Sequence, residues 1–104
     1  MLLVYITVPD AAMARSLGRV AIEEGLAACV NIIDGMESCY WWEGKVETAS
    51  ESICLCKTTE ERYPALEKRV AQLHPYDVPC IVAVSLAQGY APFMQWIADS
   101  TRTG

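Results

Sequence analysis

The stretch MESCYWWEGKVETASESICLCKT, residues 36–58, decides the fold. Glu43-Gly44 is a tight-turn signal, and the segments on either side, MESCYWW and KVETASESICLCKT, read as the two strands of one hairpin. The second arm, at a dozen or more residues, greatly exceeds the usual strand length of about five or six. Two helices of a small domain cannot cover strands of that length, so the excess must project. The tip carries Tyr40, Trp41 and Trp42, and the return arm VETASES is largely polar on both faces. Strand alternation puts Tyr40 and Trp42 on one face and Trp41 on the other, so one face or the other needs a second partner. A projecting hairpin that offers unpaired backbone groups together with apolar rings is expected to pair between copies of the chain.

Outward from the hairpin, Leu2 to Val8 is a short branched run ended by Pro9, a strand signal. Asp10 is an N-cap for a helix from Ala11 to about Glu24, with Met13, Leu17, Val20 and Ala21 on one stripe and Gly25 as its stop. LAACVNII (26–33) has strand character and runs into Asp34-Gly35, a turn or bulge signal. Thr58-Thr59-Glu60-Glu61 offers a capping box for a second helix, whose apolar face is Tyr63, Leu66, Val70 and Leu73, with Pro64 in its first turn. PCIVAVSL (79–86) reads as a third buried strand region, and Gly89 and Pro92 precede a short final helix carrying Phe93, Trp96 and Ile97. Helix crossovers between parallel neighbours plus one long hairpin specify an α+β fold, the ferredoxin-like βαββαβ sandwich, with a C-terminal helix added. With no repeat, linker or low-complexity tract, residues 1–104 form a single domain.

Composition narrows the function. An apolar fraction of 53% supports a packed core, and eight basic against thirteen acidic side chains give a net charge of −5. That sign argues against a nucleic-acid partner, which requires a basic face. MLLVYITVPD lacks a cationic leader and breaks at Pro9-Asp10, too short for a signal core or a membrane span, so a cytoplasmic protein is expected. The five cysteines form no C-x-x-C pair and suit free thiols in a reducing compartment. Cys54 and Cys56 lie on one strand face at roughly 6–7 Å and read first as small apolar fillers. Cys29 reads as core. No G-x-S-x-G, Walker, H-E-x-x-H or Rossmann pattern is present, and the expectation is no enzyme.

The only histidine stands in HPYDVP, residues 74–79. Pro75 disfavours helix at His74, so this residue ends the second helix, where a cation suits the negative end of the dipole. That reading explains the motif's shape. A second reading makes the neutral imidazole a metal ligand, with Tyr76 and Asp77 supplying an acceptor for one ring nitrogen and the other left free. Cys80 is the thiol nearest to His74 in sequence and is the partner ligand in that reading. Glu51 and Lys57 on the return arm read as an interface ion pair or a solvated edge.

AACVNI (27–32), YWWEGKVE (40–47), KTT (57–59), HPYDVP (74–79) and Trp96 together resemble the CutA family of divalent-cation tolerance proteins, over nearly the whole chain and in order. The resemblance implies a ferredoxin-like subunit in a tight homotrimer whose long strands pair between subunits, and a link to tolerance of copper and other divalent metals. Copper binding through histidine and cysteine is implied too, with His74 and Cys80 as the residues here. Leu73 precedes His74, so a double histidine is absent, and Ile6 stands where some members carry cysteine. No cofactor is expected to be obligatory, with a divalent cation such as copper or zinc as the candidate ligand. Tyr40, Trp41, Trp42, Glu51, Lys57 and Tyr76 are the expected interface or cleft residues. The alternative is a trimeric small-ligand sensor resembling the PII regulators, with an anion or nucleotide between subunits; the short Glu43-Gly44 loop and the lack of a basic phosphate cradle speak against it.

Overall fold

Strand β1, Leu2–Val8, forms where Val4, Ile6 and Val8 alternate onto one face, each fully buried. Pro9 ends it and Asp10 caps helix α1, Ala11–Glu23, by accepting the Met13 N–H at 2.8 Å on Oδ1. The face that α1 buries is Ala14, Leu17, Gly18 and Ala21. It is centred about one residue away from the expected stripe, because small side chains let the helix settle close to the sheet. At Gly18 a Cβ would stand 2.7 Å from Val30 Cγ1, so only glycine allows this approach. The coordinates are a computed structural model, and they describe residues 1–101.

Strands β2, Cys29–Trp42, and β3, Lys45–Thr58, are 14 residues each and pair antiparallel around a turn in which Glu43 (φ 51°) and Gly44 (φ 78°) are both left-handed. That double positive φ matches the twist of a hairpin, and Glu43 holds a conformation usually left to Asn, Asp or Gly. Asp34-Gly35 is a bulge, with the register shifting between Ile33 and Met36. The strand expected at 26–33 and the first hairpin arm are therefore one strand, and Leu26 to Ala28 lead into it.

Helix α2 is Tyr63–Leu73, with Pro64 in the first turn. The expected capping box does not form: the N-cap is Arg62 without a side-chain cap, the Thr58 hydroxyl donates to the Leu26 carbonyl at 2.6 Å, and the Thr59 hydroxyl accepts the Arg62 N–H at 3.2 Å in the turn before the helix. Strand β4 is Ile81–Ser85 and helix α3 is Ala91–Ser100. The sheet order is β2-β3-β1-β4, and every neighbouring pair is antiparallel. The expected parallel neighbours are corrected: β3 inserts between β1 and β2, so the α1 crossover joins strands that are not adjacent. The α+β, ferredoxin-like architecture stands.

Val4, Ile6, Val8, Cys54 and Cys56 pack with Leu17, Ala21, Leu66 and Val70 into one core, so α1 and α2 cover the same sheet face. The opposite face is poorly covered. Val82 and Val84 of β4 are 51% and 57% exposed, which corrects the reading of 79–86 as a buried strand. β4 is an edge strand: Val82 and Val84 face outward from this chain, while Ile81 packs against the core.

β1 pairs only with Ser52–Thr58 of β3, so residues 45–51 have β2 as their sole strand neighbour. The hairpin thus projects, giving extents of 45 × 26 × 21 Å. The radius of gyration is 14.3 Å, against about 13 Å for a compact chain of this size.

Candidate functional site at the end of the second helix

α2 stops at Leu73 because Pro75 pushes His74 to extended backbone, with ψ 137°. The His74 N–H still closes the helix on the Val70 carbonyl at 2.8 Å. This fixes the ring against β1, where His74 is only 7% exposed. Nε2 meets the Thr7 carbonyl oxygen at 2.7 Å, and Nδ1 accepts the Tyr76 backbone N–H at 3.1 Å. A carbonyl only accepts and a main-chain N–H only donates. The partners therefore define a neutral imidazole with its proton on Nε2.

Both nitrogens are thus engaged. The expectation that one stays free is corrected, as is the source of the acceptor: it is Thr7 of β1, neither Tyr76 nor Asp77. Cys80 meets the same residue from the other side, its carbonyl accepting the Thr7 N–H at 3.4 Å. Thr7 therefore ties the histidine and the cysteine into one corner through the backbone. Cys80 is partly buried with a free thiol.

Tyr76 closes the corner. Its ring lies 4.7 Å from that of His74, and its hydroxyl donates to Glu51 Oε2 at 2.9 Å. Removal from water, then the bond to Glu51, then nearby Glu51, Tyr40 and Asp10 push its phenol up to about 12. The HPYD loop is in this way pinned to the root of the projecting hairpin. Glu51 does not serve Lys57, which instead donates to Asn31 Oδ1 at 2.5 Å, sits 3.7 Å from Cys29 Sγ and lies 5.9 Å from the centre of the Phe93 ring. Cys29 is partly exposed there, not core.

Tyr40, Trp41 and Trp42 are 43%, 75% and 59% exposed toward the hairpin tip, and of the three Tyr40 bears on this corner, by helping to raise the Tyr76 phenol. Cys54 and Cys56 are fully buried, with their Sγ atoms 4.0 Å apart. The contact with Cys54 and its own burial push the Cys56 thiol up. Among the described residues no three His, Cys, Asp or Glu side chains gather closely enough to hold a metal ion.

Sequence reasoning missed the Asp34–Ser52 pair. The buried Ser52 hydroxyl donates to Asp34 Oδ1 at 2.7 Å, and the Gly35 N–H donates to the same oxygen at 2.8 Å, which locks the bulge. These two bonds, Ser52 first, hold the Asp34 carboxyl below its usual range. The Asp-Gly signal marked the bulge, but nothing local named a serine across the hairpin.

The family described as CutA1 divalent ion tolerance protein matches residues 2–100. The chain is 45% identical over 98 residues to the "Divalent-cation tolerance protein CutA" of Thermus thermophilus, covering 94% of this chain and 95% of that protein. Its fold is similar to the solved structure of the Thermus thermophilus divalent cation tolerance protein (Cut A1), with a TM-score of 0.95 over 98% of this chain and 100% of that one. "Protein CutA 1, chloroplastic" of Oryza sativa is 44% identical over 97% of this chain, which spans 57% of the rice protein's length. The solved "Periplasmic divalent cation tolerance protein CutA" of Archaeoglobus fulgidus is 36% identical with a TM-score of 0.94, covering 98% and 100% of the two chains.

Proposed function

The chain belongs to the CutA1 divalent ion tolerance family, and from that premise we propose that it acts as a homotrimer in divalent-cation tolerance, binding a cation such as copper weakly and catalysing no reaction. The observation that carries assembly is the pair of 14-residue arms that outrun the chain's own sheet and end in Trp41 and Trp42. The open edge strand β4, with Val82 and Val84 outward, adds a second apolar surface that a partner subunit covers. The count of three rests on the family resemblance. Five free cysteines, two of them fully buried, suit the reducing cytoplasm. Among the described residues no helix is long and apolar enough to cross a membrane.

The weakness of cation binding follows from the corner at His74. A cation reaching Nδ1 must displace the Tyr76 N–H, and Cys80 is the one thiol tied to the same Thr7. Exchanging a made hydrogen bond for a coordinate bond reduces the net gain. Light scattering at micromolar concentration tests the assembly: a species of three chains of 11.5 kDa is expected, and a monomer refutes it. Calorimetric titration with copper(II) tests the site. Heat from copper that shrinks in His74→Ala supports it, unchanged affinity and stoichiometry remove His74, and heat from nucleotides alone would favour a sensor of the PII type.

A further inference from the structure

We infer that Cys54 and Cys56 form a separate, buried two-thiolate site for a soft monovalent cation, with copper(I) as the fitting ion. Two residues apart on β3, they point to the same face, beneath the first turns of α1, with the Cys54 thiol 3.9 Å from the Ala14 carbonyl. Both are fully buried, so their sulfurs meet no water and no competing ligand. Their 4.0 Å separation is close to what one inserted ion requires. Metal–thiolate bonds of about 2.3 Å would subtend roughly 120° across that gap, and a few tenths of an ångström of opening widens the angle toward linear. A disulfide would instead need the sulfurs to close to about 2.05 Å, against the pleat of the strand.

The donor set selects the ion. Zinc takes four ligands and hard divalent cations take oxygens, whereas here two sulfurs stand without a third ligand, since no cluster of three exists among the described residues. Thiolate pairs favour copper(I). Loading replaces two S–H bonds with two sulfur–metal bonds and releases two protons. The ion enters as copper(I), so nothing is oxidised or reduced, and the complex carries one negative charge. The Cys54 Sγ faces the Ala14 carbonyl oxygen at 3.9 Å, so deprotonation gives up that contact, and the two sulfur–metal bonds must offset both its loss and the burial of the charge. Because α1 covers the pair, the ion enters only when its first turns lift, and loading is slow beside that of the exposed Cys39. The site shares no residue with the His74–Cys80 corner and does not depend on it.

The test uses the full chain with Cys29, Cys39 and Cys80 replaced by serine, titrated anaerobically with copper(I) against a chromophoric copper(I) chelator. One ion per chain, two sulfur neighbours by X-ray absorption, and an upward shift of the melting temperature are expected. Cys54→Val and Cys56→Ala should each lose that ion. No binding by the folded triple variant overturns the site, as does retention of the ion in both single variants. A crystal of the native chain soaked in silver(I) gives a reading that needs no variant to fold: a peak between the two Sγ atoms supports the site, and its absence overturns it.

Discussion

Replacing His74 with alanine is expected to cost about 3 kcal/mol of stability. The ring is 7% exposed and makes two hydrogen bonds, to the Thr7 carbonyl and from the Tyr76 N–H, each worth about 1 kcal/mol. Truncation also leaves an unfilled space between α2 and β1, which adds about 1 kcal/mol. His74→Gln, which keeps a donor able to reach Thr7, should recover part of the loss. Urea unfolding at one fixed protein concentration reads the difference, since the proposed assembly would contribute to the apparent stability. A loss below about 1 kcal/mol for the alanine variant would show that the imidazole does not tie the helix end to β1, and the reasoning would fail. The same experiment separates stability from metal chemistry, because it requires no metal.

Four further outcomes follow from the packing and the titrations. Gly18→Ala gains about 1 kcal/mol of helix propensity but forces its Cβ against Val30, costing about 1–3 kcal/mol; thermal unfolding should show a net loss that Val30→Ala relieves. Asp34 titrates low because Ser52 and Gly35 donate to it, so its contribution is intact above the ordinary carboxylate pKa and is lost as pH falls through the lower folded value; NMR titration should find Asp34 moved up in Ser52→Ala. Tyr76 ionises near pH 12 through burial and its bond to Glu51, so its contribution holds below pH ~10 and fades as pH rises toward 12; ultraviolet titration of Glu51→Gln should show one tyrosine ionising earlier. Trp42→Ala should shift the assembly toward smaller species in light scattering while leaving far-ultraviolet circular dichroism unchanged, and an unaltered assembly would place the contact elsewhere.

The fold was legible wherever one residue type dictates local geometry. Asp10 capped, Gly25 stopped, Pro75 ended the second helix, and the turn at Glu43-Gly44 set the hairpin. Errors arose where the outcome depends on what lies across the sheet. Val82 and Val84 have the composition of a buried strand, yet β4 lies at the edge, and composition does not separate an edge strand from a central one. Cys29 looked like Cys54 and Cys56 in its neighbours, but pairing with Lys57 places it on the less covered face. Register decides burial there, and a shift of one residue reverses it.

The candidate site shows the same limit more sharply. HPYDVP announces that a helix ends and a rigid loop follows, since prolines act on their immediate neighbours. What the imidazole does depends on the Thr7 carbonyl, 67 residues earlier in the chain. A main-chain oxygen has no signature in sequence, because every residue carries one. Side chains alone therefore suggested a metal ligand, where the backbone had already claimed both nitrogens. The pair at Cys54 and Cys56 is the opposite case, since spacing of two along a strand brings two sulfurs to one face whatever the rest of the chain does. Burial by α1 then decides whether that pair is inert filling or a site closed to everything but a small soft ion, and the copper(I) titration separates the two.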